Sequence, residues 1–213
     1  MAFLLGEGDD DMAAWALAQA LQEQPRTAVF DDVVRGAMEL VGWRWEHGKW
    51  TVAQEHLASV ALAAALARIR PARAVDAVVG PVAVLAAPEG EHHVAGLACL
   101  AQVLEEHGWQ VSNLGANVPT GDLVRFLADR DVQLVGLSIA SEDHLPALQR
   151  ALAAIGDEAG APAGRRIVVG GRGVASAASR GAVPGADLVS TTLAEAARFA
   201  REIAATWTTA SSD

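Results

Sequence analysis

Short apolar runs alternate with helical stretches throughout the chain after residue 80, and this pattern limits the folds the chain can adopt. Each of five apolar runs is followed by a helix or a helix-like segment, as expected for strands joined by crossover helices. Because such crossovers join parallel strands, we predict a doubly wound, flavodoxin- or Rossmann-like five-stranded parallel sheet. The predicted strands are 82–87, 109–114, 132–139, 166–169 and 186–190. The predicted helices of this half are 94–107, 120–128, 145–159 and 193–205, with a short helix over 175–182.

The first seventy residues lack this alternation and carry helix signals instead. Asp9 can cap a first helix, and a second helix is predicted from Thr27 to Gly48. Thr51, with Gln54 three residues later, is a capping-box pattern for a third helix that reaches about residue 69. The predicted boundaries are 1–70 for a helical bundle, 71–80 for a linker and 81–213 for the sheet domain.

Charge and composition exclude several classes of function. A net charge of −10 argues against non-specific nucleic-acid binding, which needs Lys and Arg to neutralise phosphates. The single cysteine, Cys99, allows neither an internal disulfide nor a cysteine metal cluster. No apolar run reaches the roughly 18 residues of a membrane span, and the start of the chain lacks the positive charges of a signal peptide. We therefore expect a cytoplasmic protein with no membrane partner and no direct nucleic-acid partner.

The loop after the first predicted strand is the first place to look for a ligand site, because open parallel sheets bind ligands beyond the carboxyl ends of their strands. This loop contains Glu89, Glu91, His92 and His93. A phosphate-binding loop would instead be rich in glycine. A solvated pair of surface histidines is the alternative interpretation.

The spacing Glu91-x-His93-x-x-Gly96 resembles the Asp-x-His-x-x-Gly motif of cobalamin-binding domains, as in methionine synthase and corrinoid carrier proteins. The resemblance implies that His93 is the lower axial ligand of cobalt and that Glu91 orients its imidazole. His92 lacks a glycine at the matching distance. Glu91 stands where the motif has Asp, so its longer side chain must fold back to reach His93.

The family pattern continues at the ends of later predicted strands. Ser138-x-Ala140 stands where the family has Ser-x-Leu, and Gly170-Gly171 stands at its Gly-Gly pair. In the family these small residues leave room for the nucleotide tail of cobalamin, and Ala140 in place of Leu loosens one wall of that pocket. Ser190, at the end of the fifth predicted strand, is assigned to the same cofactor-binding set.

In the helical half, Trp45 is followed after nine residues by Glu55-His56. This pattern resembles the cobalamin-binding domain of CarH/LitR-type photoreceptors, which use adenosylcobalamin as a light sensor. The resemblance implies that Trp45 covers the upper ligand and that Glu55 and His56 line the adenosyl pocket. Ser59 lies one turn beyond Glu55, so it completes a polar patch. His56 is predicted to share a buried apolar stripe with Val60. A core tryptophan and a hydrogen-bonded core histidine are the alternatives.

The resemblance implies a sensor rather than an enzyme, in which light breaks the cobalt–carbon bond and changes conformation or oligomeric state. Glu46 stands where the DNA-binding members have a histidine, so stable bis-histidine cobalt through His47 is not expected. Those members also carry a basic helix-turn-helix, and here we expect a stand-alone module. Its output would pass through a homo-oligomer, a dimer in the first instance, or through a downstream signalling protein.

Three alternatives for cofactor and function follow from the same resemblances. Biliverdin is a candidate second chromophore, because photocobilins bind cobalamin and a bilin in a stand-alone layout. A corrinoid methyl carrier serving a methyltransferase has a similar organisation. A passive cobalamin-binding adaptor is the third. The Trp45 pattern favours the sensor, since a methyl carrier must expose its upper face to partner enzymes.

Overall fold

The computed structural model describes residues 1–71, 80–157, 164–175, 181 and 183–210. The chain divides into two units, Met1–Ala72 and Arg73–Asp213. The predicted linker, 71–80, lies almost wholly outside the described residues, and so does most of the short helix predicted over 175–182.

The first unit is helical and carries the predicted caps. The side chain of Asp9 accepts a hydrogen bond from the backbone N–H of Met12 at 3.0 Å. Thr51 and Gln54 form the capping box in both directions, which satisfies backbone donors at the start of the last helix. A short N-terminal helix lies outside the predicted set. The helices are α1 (Ala2–Gly6), α2 (Asp10–Glu23), α3 (Arg26–Ala28), α4 (Arg35–Glu46) and α5 (Val52–Arg68).

A π-helical turn, Val29–Val34, joins α3 to α4 where the sequence predicts one regular helix. In a π-helix the backbone hydrogen bonds join residues five apart, so the turn is wider than in an α-helix. The wider turn brings Val29, Phe30 and Val34 into the core of the unit, where each is at most 3% exposed. The irregular turn thus contributes three side chains to the core of this unit.

Packing of α5 against α1 and α2 holds the first unit together. The buried face of α5 includes Leu62 and Leu66. At the end of α5, the guanidinium of Arg68 contacts the carboxylates of Asp10 and Asp11, each at 2.7 Å. These ion pairs join the last turn of α5 to the first turn of α2.

The second unit confirms the predicted fold class: its five strands form one sheet in the order β2-β1-β3-β4-β5, and every pair is parallel. Helices α6 and α9 cover one face of the sheet, and α7 and α8 cover the other. The strand order reverses between β1 and β3, so the loops after these two strands lie at the switch point, where sheets of this class bind ligands. The strands are β1 (Val82–Ala86), β2 (Gln110–Asn113), β3 (Leu134–Ser138), β4 (Arg166–Gly170) and β5 (Leu188–Val189). The helices are α6 (Ala95–Glu106), α7 (Thr120–Ala128), α8 (Leu145–Gly156) and α9 (Leu193–Ala210). None of the described helices is both long enough and apolar enough to cross a membrane.

Candidate functional site

The loop after β1 is clamped to the loop after β2. The backbone N–H of Gly90 donates to the side-chain oxygen of Asn117 at 2.8 Å, and the N–H of Asn117 donates to the carbonyl of Glu91 at 2.8 Å. Asn117 adopts the left-handed conformation, with φ of 53°; Asn tolerates it better than most residues. The clamp fixes the backbone on both sides of the Glu91 side chain.

Glu91 is fully buried, and four hydrogen bonds satisfy its carboxylate. Its Oε1 accepts from the backbone N–H of His93 at 2.8 Å and from Nδ1 of the same residue at 2.7 Å. Its Oε2 accepts from the backbone N–H of Ala140 at 2.6 Å and from Nδ1 of His144 at 2.9 Å. The longer side chain therefore does fold back onto His93, and its second oxygen reaches the loop after β3.

The protonation state of Glu91 determines which ring nitrogen of each neighbouring histidine carries a proton. Burial raises the pKa of this carboxyl, but hydrogen bonds from the His93 side chain and from the backbone of Ala140 and His93 outweigh it and lower the pKa to about 2. Glu91 is therefore ionised at neutral pH and can only accept hydrogen bonds. Consequently Nδ1 of His93 and Nδ1 of His144 both carry a proton.

The His93 imidazole combines a fixed ring with exposure at the crevice. Its side chain is 66% exposed, whereas the carboxylate that holds it is fully buried. A neutral imidazole with its proton on Nδ1 has its lone pair on Nε2, the nitrogen that can bind a metal. Among the described residues no group of three or more His, Cys, Asp or Glu could hold a metal ion. His93 would therefore hold a metal ion only where a cofactor supplies the remaining ligands.

The remaining motif residues of the sheet unit meet at the ends of β3 and β4. A Cβ atom added to Gly171 would lie 2.9 Å from Oγ of Ser138, and one added to Gly96 would lie 3.8 Å from the same atom. One added to Gly170 would lie 3.5 Å from the carbonyl oxygen of Ser190. The structure therefore brings Gly96, Ser138 and Gly171 together.

Ala140 and Ser190 make hydrogen bonds that the sequence pattern does not indicate. The backbone N–H of Ala140 holds Glu91, so its contribution does not depend on its small side chain. The Ser190 hydroxyl donates to the carbonyl of Thr192 at 2.6 Å and lies 3.2 Å from the carboxylate of Glu195. The described contacts of this hydroxyl thus organise the start of α9.

In the helical unit, Glu55, His56 and Ser59 form the predicted polar patch. One carboxylate oxygen of Glu55 lies 2.7 Å from Nδ1 of His56, and the other accepts from the Ser59 hydroxyl at 2.9 Å. The prediction that His56 lies on a buried stripe is wrong, because its side chain is 72% exposed and Val60 is 67% exposed. Helix α5 is rotated so that a neighbouring face, which includes Leu62, is buried instead.

The tryptophans near residue 45 have different environments. Trp45 and Trp43 are each about half exposed, at 47% and 48%. Trp43 stacks on the ring of His47 at 4.4 Å, and Nδ1 of that histidine lies 2.8 Å from the Trp43 carbonyl oxygen. Trp50 packs on Gly6, where an added Cβ would lie 2.3 Å from the indole ring. Trp50 therefore has a packing role, whereas Trp45 remains available on the surface of its unit.

Two residues of the site, His144 and Asn117, are absent from the sequence-based prediction. His144 ends a short 3-10 turn, Glu142–His144, directly after β3. The sequence does carry a signal for His144, because a histidine stands there in the loop after a strand that borders the switch point. Asn117 has no comparable signal, because its role depends on its backbone conformation and on a contact with Gly90, 27 residues away.

We expect Asn117→Ala to lower the free energy of unfolding by about 2 kcal/mol, because it removes an acceptor and places a Cβ-bearing residue without local hydrogen bonding in the left-handed region. Asn117→Gly keeps the backbone conformation accessible and loses only the side-chain bond to Gly90, so we expect about half that loss. Urea unfolding of both variants tests this. Equal stability of the two variants would contradict the backbone contribution.

Comparison with known proteins also supports a cobalamin-binding domain. The B12 binding domain family matches residues 81–200, and a second B12 binding domain family matches residues 1–70. The chain is 32% identical over 172 residues to the HTH-type transcriptional repressor CarA of Myxococcus xanthus. This match covers 75% of this chain and 57% of the relative. The chain is 35% identical over 170 residues to the repressor CarH of the same organism, covering 76% of this chain and 53% of the relative. The chain thus spans about half the length of the curated relatives it matches.

The fold is also that of a solved corrinoid protein. The monomethylamine corrinoid protein of Methanosarcina barkeri superposes with a TM-score of 0.75 at 19% identity, covering 95% of each chain. At this identity the likeness concerns the fold. The family matches, by contrast, include the residues that carry the Glu91–His93 pair and the Gly170-Gly171 pair. The chain therefore belongs to the B12-binding domain family.

Proposed function

We propose that this chain is a light-responsive cobalamin-binding regulatory protein in which Nε2 of His93 is the lower axial ligand of cobalt. The observation that carries the proposal is the exposed His93 imidazole held by the fully buried, ionised Glu91 at the switch point of the sheet. A carboxylate that accepts from Nδ1 fixes the tautomer and raises the basicity of the metal-binding nitrogen.

The residues around this pair fit a corrinoid with a displaced nucleotide tail. Gly96, Ser138 and Gly171 lie together at the ends of β3 and β4, where the chain presents small residues close to the Glu91–His93 pair. We assign the tail to the neighbourhood of these small residues, together with Gly170 and Ala140.

For the upper ligand we assign adenosyl, with Trp45, Glu55, His56 and Ser59 as the residues of the helical unit that contact it. Bound adenosylcobalamin supplies a cobalt–carbon bond that visible light breaks. The exposed aromatic face of Trp45 and the preformed Glu55–His56–Ser59 patch provide apolar and hydrogen-bonding contacts of the kind a nucleoside needs. The resemblance of the Trp45 and Glu55-His56 pattern to CarH/LitR-type photoreceptors supports this assignment.

The experiment is a light–dark spectrum. We expect protein purified in the dark with adenosylcobalamin to change its absorption spectrum irreversibly under green light. His93→Ala should remove the protein-derived lower ligand from the spectrum, whereas His92→Ala in the same loop should not. Trp45→Ala should change the yield of the light reaction, and Trp43→Ala, the other half-exposed tryptophan of α4, is the matched control. A spectrum unchanged by light that photolyses free adenosylcobalamin would contradict the sensor.

We propose that the output is a change in self-association or the binding of a signalling protein, without catalysis of a reaction. The net charge of −10 supports a protein partner over direct nucleic-acid binding. Light scattering after size-exclusion chromatography, in the dark and after illumination, measures the change, with a dimer as the expected associated state. Biliverdin added to the same dark sample tests a second chromophore through a new long-wavelength band.

A corrinoid methyl carrier is the second candidate, favoured by the fold shared with the monomethylamine corrinoid protein. It predicts methylation of the bound cob(I) form by a partner methyltransferase and no dependence of partner binding on light. A passive cobalamin-binding adaptor predicts neither methyl transfer nor a change of association in the light. The comparison of self-association in the dark and after illumination therefore separates the sensor from both.

A further inference from the structure

The two edge strands of the sheet differ in how well they are protected against pairing with a further strand. β5 is only two residues long and directly follows Asp187, whose carboxylate binds Arg166 at 2.7 Å. β2 has four residues in unbroken register with β1, and it contains neither proline nor a charged residue. Among the described residues no strand pairs with its other side. Because edge strands avoid pairing through prolines, charges and bulges, the outer edge of β2 is open to another strand.

The hydrogen bonds between β2 and β1 show which backbone groups of β2 point outward. The N–H groups of Gln110 and Leu114 donate to carbonyls of the segment 81–85, at 2.9 Å and 2.8 Å. Successive residues of a strand direct their backbone N–H and C=O groups to opposite sides. The N–H and C=O groups of Val111 and Asn113 therefore face away from β1, where an added strand can bind them.

A groove of about 390 Å³ lies beside this edge, so side chains of an added strand have room on that face of the sheet. One wall carries the Arg130 guanidinium, which stacks on the Phe126 ring at 3.8 Å and donates to the Phe126 carbonyl at 2.7 Å. The charges of Arg130 and Asp131 cancel in sum. The residues that line the groove are Val82, Gln110, Val111, Ser112, Arg130 and Asp131.

The distribution of charge favours a second copy of this chain as the added strand. The net charge is −10, and like-charged proteins repel each other over most of their surfaces. Residues 107–121, which include all of β2, contain no Asp, Glu, Lys or Arg, and no longer stretch without these residues occurs in the chain. Two copies that meet along β2 therefore bring no like charges together on the paired strands.

We propose that the outer edge of β2 pairs antiparallel with β2 of a second copy, so that two five-stranded sheets become one continuous sheet. With the two-fold axis at Ser112, Val111 of each copy exchanges two hydrogen bonds with Asn113 of the other. The two Ser112 side chains then lie directly opposite each other. The same surface serves both copies, so the assembly closes as a dimer. This pairing involves neither cobalamin nor light, and it therefore goes beyond the proposed function.

Charges introduced at position 112 test both the edge and its register. In Ser112→Asp and in Ser112→Lys two identical charges would lie opposite each other across the axis, where like charges are destabilising. We expect each variant to dimerise at least about 10-fold more weakly than the wild type. An equimolar mixture of the two variants places opposite charges across the axis and should recover the dimer. Sedimentation velocity of the cobalamin-free protein in the dark, over a range of concentrations, measures this.

Matched controls and a second variant keep the test specific. Gln19→Asp and Gln19→Lys add the same charges at an exposed position of α2 and should leave association unchanged. Val111→Pro removes an outward N–H but no hydrogen bond to β1, a place where an edge strand accepts proline. We expect Val111→Pro to be folded and monomeric. Circular dichroism and thermal unfolding confirm that every variant compared is folded.

Hydrogen exchange gives a readout that is independent of mass. The outward amides of Val111 and Asn113 should exchange more slowly in concentrated, dimeric protein than in dilute, monomeric protein. The amide of Gln110, which donates to the segment before β1, should exchange at a rate that does not depend on concentration.

Several results would overturn the proposal. One is a wild type that stays monomeric at the highest soluble concentration, and another is undiminished dimerisation of both Ser112 variants, which would assign the dimer to another surface. Failure of the mixture to recover the dimer would exclude the antiparallel register about Ser112. Slow exchange of Val111 and Asn113 in a monomer would mean that another segment of the same chain covers the edge. A dimer that forms in the dark and does not respond to light would contradict the sensor and leave the pairing intact.

Discussion

Replacing Gly171 by alanine should lower the free energy of unfolding by about 3 kcal/mol, the sum of a strained backbone and a steric overlap. Gly171 has φ of 95° and ψ of 166°, a conformation that is essentially restricted to glycine. Its added Cβ would also lie 2.2 Å from the carbonyl oxygen of Ile139. Because the contacted atom belongs to the backbone of the segment after β3, it cannot move aside without disturbing the site. Urea unfolding of the cobalamin-free protein measures the effect.

Gly121→Ala is the matched control. Gly121 lies in the first turn of α7, where an added Cβ meets no atom within 4 Å and φ is not positive. We expect alanine there to leave stability unchanged or to raise it by up to about 1 kcal/mol, because alanine favours the helix. A Gly171→Ala variant as stable as Gly121→Ala would show that the backbone at Gly171 is not constrained as described.

The second large effect concerns Glu91 and pH. Its pKa falls from 4.5 to about 2 in the folded protein, because hydrogen bonds from His93 and Ala140 outweigh the opposing effect of burial. A group whose pKa is lower in the folded state stabilises the protein fully above its unfolded pKa, and that stabilisation is lost as pH falls toward the folded pKa. A difference of this size corresponds to about 3 kcal/mol.

We therefore expect Glu91→Gln to be less stable than the wild type by about 3 kcal/mol at pH 7, and the difference to shrink between pH 4.5 and pH 2. Urea unfolding of both proteins without cobalamin across this range tests it. Glu89→Gln removes one charge from the same loop at an exposed position, so it controls for net charge. A Glu91→Gln difference that stays constant with pH would mean that the carboxylate is not held as described.

The candidate residues of the two units differ in how much the sequence revealed. The Glu91–His93 contact joins residues two apart, so a local motif is enough to predict it. The Glu55–His56–Ser59 patch is equally local, because helical periodicity alone brings these side chains together. The orientation of α5 is not local, and the expected burial of the His56 face is wrong because packing against α1 and α2 selects a different face.

By itself, the sequence determined the alternation that produces a parallel sheet and the short-range motif that pairs Glu91 with His93. Only the tertiary structure showed what holds that pair: Asn117 clamps the loop, and His144 holds the second oxygen of Glu91 across 53 positions. The physical reason is that hydrophobic periodicity specifies which residues form strands and helices. Which loops then meet at the sheet edge depends on strand order and on single hydrogen bonds between residues far apart in the chain.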